Sequence, residues 1–203
     1  KKMDAASQLF TELQETEINE YEVGYSIIDQ HKAVNKAILD SSLITFDEGK
    51  DLLSKLKEMA QYSDSESAYA KANFNLETFL DNLNNRRCQL EDLWSQRRIK
   101  LEQGIQICFL RSEINKSINW LLTEGKEYVE NTKLGLNVTE AMQMQHAHNE
   151  FVKQHYKPMQ ESVTKCIRTA DQFIHTGLEN ADEAHAEAHD LLEHWEKFAL
   201  KLE

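Results

Sequence analysis

From Ser65 to Asn131 the chain runs without a proline, and its only glycines there are Gly104 and Gly125. All 203 residues together hold one proline, Pro158, and six glycines. Tight turns draw on those two residues, so sandwich and barrel folds with many hairpins are disfavoured. No GxGxxG or GxxxxGK[ST] run is present to hold a phosphate at the head of a βαβ unit. The remaining composition is rich in Leu, Glu, Lys, Gln and Ala, which are strong helix formers. The sequence therefore predicts an all-α protein.

The apolar residues fall at heptad spacing. Leu76, Leu80, Leu83, Leu90, Trp94 and Leu101 form one seam, with steps of three, four or seven residues. Further on the apolar face shifts to Leu110, Ile114, Ile118, Leu121 and Tyr128. One helix over that whole stretch is too long for a single compact bundle. A change of buried face midway fits a helix that serves two bundles in succession. A second seam runs through Ala141, Met144, His148, Phe151 and His155, and resumes after Pro158 as Met159, Val163, Cys166, Ala170 and Phe173. Its phase slips by one residue at the proline, which predicts a kink there. A third seam closes the chain at Ala184, Ala188, Leu191, Trp195, Phe198 and Leu202. Three polar breaks, Ser63–Glu66, Asn137–Glu140 and Asn180–Glu183, each place a side-chain acceptor three residues before a glutamate. That pattern caps a helix start. Gly135 and Gly177 lie just upstream of two of them, where helices end.

The chain also resembles itself. Residues Leu90–Glu102 align with Leu191–Glu203 at an offset of 101, with five of thirteen identical, Trp94 and Trp195 among them. His31 and Val34 correspond to His148 and Phe151 at a different offset, 117. Units of about 100 residues with three long heptad helices resemble spectrin repeats. In the second unit Phe109 and the Trp120–Leu121 pair fall on the first helix, His148 and Phe151 on the second, and Trp195 on the third. The resemblance implies two consecutive three-helix bundles, residues 1–98 and 99–203, joined by a continuous helix into an elongated rod. It implies a packed core that includes Trp94, Trp120, Leu121, His148, Phe151 and Trp195. The first unit departs from the pattern: its first helix, placed over Met3–Glu17, offers Phe10 and Leu13 but no tryptophan.

One run is more specific. Arg86-Arg87-Cys88-Gln89-Leu90-Glu91-Asp92-Leu93-Trp94, continuing through Arg97-Arg98-Ile99-Lys100-Leu101, is similar to inter-repeat junctions in the Trio and Kalirin group of Rho guanine-nucleotide exchange factors. Gln145–Phe151 is similar to their second-helix pattern. This implies a non-catalytic spacer, scaffold and docking region, in the cytoplasm, near the cytoskeleton or cell cortex. The exchange domain of such a protein would lie elsewhere. A cytoskeletal cross-linker of the plakin or actinin type and a membrane-binding helical bundle are the alternatives.

Charge narrows the partners. With 23 basic and 35 acidic residues the net charge is −12, which repels nucleic acid and anionic membrane. Other proteins, docked on helix faces, and further copies of the chain are the expected partners, with no direct membrane insertion. From Arg86 to Lys100 five basic residues face two acidic ones, whereas Glu179–Glu203 carries eight acidic and two basic. Arg86, Arg87, Arg97, Arg98 and Lys100 thus form a candidate docking strip at the junction. The three cysteines, Cys88, Cys108 and Cys166, make neither a CxxC pair nor a disulfide framework and fit a reducing compartment. His185 and His189 are four apart on one helix face, with Asp182 and Glu193 nearby, a spacing that can hold a divalent metal. A solvated polar face is the favoured reading, so neither metal nor cofactor is expected. No nucleophile motif appears, and a narrow bundle rarely leaves a pocket, so catalysis is not expected.

Overall fold

The computed structural model describes residues 3–5, 8, 21–62, 66–131 and 135–202. Among these, every regular element is helical and none is a strand. The elements are α1 (Tyr21–Ala60), α2 (Glu66–Trp120), a π turn (Leu121–Gly125), α3 (Lys126–Asn131), α4 (Val138–Phe151), a second π turn (Val152–Tyr156), α5 (Lys157–His175) and α6 (Ala181–Leu202). The chain divides into two compact units between Gly104 and Ile105, inside the 55 residues of α2. No helix among the described residues is long and apolar enough to cross a membrane.

In the first unit, α1 buries Gly24, Ile28, His31, Ile38, Ser42 and Gly49. Their steps of four, three and seven trace a heptad seam, yet four of its six members are small or polar. Small residues let a neighbouring helix come close. A Cβ added at Gly49 would stand 2.6 Å from a methyl of Leu80 on α2. The Ser42 hydroxyl donates to the Ile38 carbonyl at 2.7 Å, so its burial leaves no polar group unpaired. From α2 the buried row is Leu80, Leu90, Trp94, Arg97 and Leu101. Ile38, Leu90 and Trp94 form the centre of this core, with Val34 and Met3 packed on it. The helix expected over Met3–Glu17, with Phe10 and Leu13, lies mostly outside the described residues, as does most of the cap at Ser63–Glu66.

The second unit packs the end of α2 against α5 and α6. Its buried residues are Ile107, Leu110, Ile114 and Leu121, then Val163, Cys166 and Ala170, then Ala184, Ala188, Leu191, Trp195 and Phe198. The steps within each set are three, four or seven residues, as an apolar helix stripe requires. Side-chain size is graded along the bundle. Alanines occupy the core near the α5–α6 turn, and Trp120, Phe151, Tyr156, Trp195 and Phe198 fill it towards α4. The sequence reading placed Ile118 on the buried stripe of α2. Ser117 is buried there instead and donates to the Glu113 carbonyl at 3.0 Å, while Ile118 is half-buried.

The helix ends follow from particular residues. Asn137 caps α4, its side-chain oxygen accepting from the Glu140 amide at 2.9 Å. The Glu140 carboxylate reaches back to the Leu136 amide at 2.9 Å, a reciprocal arrangement close to a capping box. Gly135 is needed just before, because a Cβ there would lie 2.5 Å from the Ala141 backbone nitrogen. α5 ends in a Schellman motif. The Leu178 amide donates to Phe173 at 3.1 Å and the Gly177 amide to Ile174 at 3.0 Å, with Gly177 at φ 66°. Asn180, read from sequence as a side-chain cap, takes up left-handed backbone at φ 64°, which asparagine tolerates better than most residues.

Just before Pro158, where the sequence predicts a kink, the helix widens. The π turn Val152–Tyr156 lies directly upstream, and Pro158 occupies the first turn of α5. A proline in a helix lacks an amide and crowds the carbonyl four residues back. A turn that holds one extra residue relieves that crowding, and it also produces the one-residue slip in the seam.

Candidate functional site

The basic strip is only partly a surface. Arg86, Arg98 and Lys100 are exposed and Arg87 is half-buried. Arg86 pairs with Asp4, Arg87 with Glu91 at 2.6 Å, and Arg98 with Glu102 at 3.6 Å. Most of the strip's positive charge is thus neutralised locally. Arg97 departs from the sequence reading altogether. It is 5% exposed, and among the described residues its Nε and Nη2 meet no hydrogen-bond acceptor. The reason is positional: Arg97 stands three residues after Trp94 and four before Leu101, on the heptad seam itself.

His31 shares this core. It is 1% exposed, and its ring meets Trp94 edge-on with centroids 5.7 Å apart. Burial, and secondarily the charge of Arg97, hold its pKa below the ordinary 6.5. The folded chain therefore keeps the ring neutral while the unfolded chain protonates it near pH 6.5. Stability from this group is fully present above about pH 6.5 and is lost as the pH falls towards the depressed folded value. Urea melts of the first unit should lose at most about 1.4 kcal/mol per pH unit over that window. His31→Phe should remove this component, and an unchanged pH slope in the variant would contradict the assignment.

The core residues expected in the second unit do come together. Trp120 stacks near Phe151 at 6.3 Å and meets Phe198 edge-on at 5.7 Å. Its indole nitrogen donates to Glu124 at 2.8 Å. Tyr128 lies flat on Phe151 at 3.5 Å, and its hydroxyl bonds His148 Nδ1 at 3.1 Å. Trp195 packs on Tyr156 at 4.9 Å. Leu121 is buried, whereas Trp120, His148 and Phe151 are half-buried. His148 is thus a hydrogen-bonded edge of the core rather than its centre. Gly125 is needed against this cluster, since a Cβ there would meet Phe198 at 3.1 Å and Trp120 at 3.3 Å.

Cys108 and Cys166 offer no activated thiol. All three cysteines are free; Cys166 is buried and Cys108 half-buried. Burial pushes both of those thiols up, away from the thiolate a nucleophile requires.

A third group of side chains converges on α5 and α6. His185 Nε2 lies 3.0 Å from Asp171 Oδ1 and 3.3 Å from His189 Nε2. The ligating atoms of Asp171, His185 and His189 all fall within 4.8 Å of one another. Sequence spacing found the two histidines but named Asp182 and Glu193 as their companions. The actual third group, Asp171, comes from the facing helix. Its signal was its place directly after Ala170, a seam residue packed against α6. Within the same unit, Arg111 of α2 pairs with Glu183 at 2.7 Å and Glu187 at 3.2 Å of α6.

A family model described as a domain of unknown function, DUF7799, matches residues 1–103, which takes in α1 and the first part of α2. With half of its length in that match, the chain belongs to the DUF7799 family.

Proposed function

We propose that this chain is a non-catalytic spacer and docking segment, built as tandem spectrin-like repeats within a protein resembling the Trio/Kalirin exchange factors. The observation that carries the reading is α2. Its 55 residues contribute core to the first unit through Leu90 and Trp94 and to the second through Leu110 and Ile114. A straight helix of that length rises about 80 Å at 1.5 Å per residue. The mechanism is geometric: the segment holds its flanking parts at a distance and presents helix faces to protein partners, a second copy among them.

The match to a family of unknown function bears on neither partner nor parent protein. Support comes from the heptad seams, the paired tryptophan segments and the shared helix. Small-angle scattering of the purified chain tests the spacer reading. A rod on the order of 100 Å gives a radius of gyration of about 30 Å. A value of about 17 Å would describe one globule and overturn the proposal.

A further inference from the structure

The geometry points to a divalent-cation site of the zinc type formed by Asp171, His185 and His189, which would clip α5 to α6. His185 and His189 are one helical turn apart, so their rings share a face, with centroids 4.5 Å apart. Asp171 reaches the same point from α5. Hydrogen bonding alone accounts poorly for this arrangement. A ring nitrogen has one in-plane position, filled by either a proton or a lone pair. His185 Nε2 has two neighbours, Asp171 Oδ1 at 3.0 Å and His189 Nε2 at 3.3 Å, and can serve only one of them well.

A cation between them serves all three. Zinc binds imidazole nitrogen at about 2.0–2.1 Å and carboxylate oxygen at about 2.0–2.2 Å, with tetrahedral angles. Two such ligands on one ion then stand about 3.3 Å apart. The 3.3 Å between the two histidine nitrogens matches that spacing, and the 3.0 Å to Asp171 is slightly tighter. Two imidazoles and a carboxylate suit Zn²⁺ and related transition ions rather than Mg²⁺ or Ca²⁺, which favour all-oxygen shells. Asp171 and His189 are exposed and His185 is half-buried, so an ion can enter from solvent, with water in the fourth position.

The ion binds the folded pair of helices, so it stabilises the second unit by linkage. The test uses the full chain with Zn²⁺ alone, by calorimetric titration and thermal melts, and Co²⁺ for its absorption spectrum. One Zn²⁺ per chain, a rise in the melting temperature of the second unit and a tetrahedral Co²⁺ spectrum are expected. His189→Gln and Asp171→Asn, both at exposed positions, should fold normally and each weaken binding by at least about tenfold. Loss in His189→Gln with none in Asp171→Asn would reduce the site to a histidine pair on one helix and overturn the clip. Unchanged binding in His185→Gln/His189→Gln, or no binding by the wild-type chain, would overturn the site. None of these outcomes depends on the spacer reading.

Discussion

Trp195→Ala should lower the stability of the second unit by about 3–5 kcal/mol and leave the first nearly untouched. Trp195 is 6% exposed and lies at the wide end of the bundle core, against Tyr156 at 4.9 Å and Phe198 at 5.7 Å. Truncation removes the burial of a large ring and leaves a cavity. Little can collapse into that cavity. The adjoining α6 positions towards the turn are Leu191, Ala188 and Ala184, which are already fully buried. Gly125 holds the opposing backbone so close to Phe198 that the ring has little room to swing. For a unit of about 100 residues, each kcal/mol moves the melting temperature by roughly 4–8 °C, so a fall on the order of 20 °C is expected. Hydrogen exchange resolves the two units. Amides of α5 and α6 should lose protection while those of α1 keep theirs. A shift of less than about 2 °C would show that Trp195 is not the keystone the packing implies.

The second unit was the more legible of the two because its seams are apolar. Val163, Cys166 and Ala170, and Ala184 through Phe198, stand out at heptad spacing, and all are buried in the structure. The first unit hides the same periodicity. On α1 the seam is occupied by Gly24, His31, Ser42 and Gly49 as well as Ile28 and Ile38, and a search for apolar stripes passes over such residues. Glycine and serine bury well when helices approach closely, which is a property of the packed pair rather than of either segment. The site at Asp171 was half legible for a similar reason. An i,i+4 histidine pair is a local pattern, but its third member comes from another helix, fourteen residues before His185. Only the packing of Ala170 against α6 brings that carboxylate into reach. The tryptophan segments of the two units align at an offset of 101, but their helix ends do not. α1 ends at Ala60 and α5 at His175, while α2 starts at Glu66 and α6 at Ala181, all 115 residues apart. The turns therefore correspond, and Trp94 simply sits deeper along its helix than Trp195 does.

Arg97→Met should stabilise the first unit by about 1–2 kcal/mol, an unusual direction for a substitution in a core. The alignment of Leu90–Glu102 with Leu191–Glu203 sets Arg97 against Phe198, which is 7% exposed in the aromatic core of the second unit. Three residues after its seam tryptophan, the first unit carries a guanidinium and the second a phenyl ring. Burial lowers the Arg97 pKa, the direction expected of a cation taken out of water. Its Nε and Nη2 recover little of that cost, having no acceptor among the described residues. Methionine keeps the length and flexibility of the arginine stem and omits the charge. The nearby His31 supplies an independent check. Burial is the larger cause of its lowered pKa and the Arg97 charge the smaller. Removing that charge should therefore narrow, without abolishing, the window below pH 6.5 in which the first unit loses stability. Arg97→Met and Arg97→Glu together separate charge from packing. The glutamate buries an anion with a shorter stem and should destabilise, whereas the methionine should raise the midpoint of urea unfolding at neutral pH. If Arg97→Met lowers that midpoint, the guanidinium is contributing more to the core than its orphaned nitrogens indicate, and Arg97 regains its claim as a functional residue.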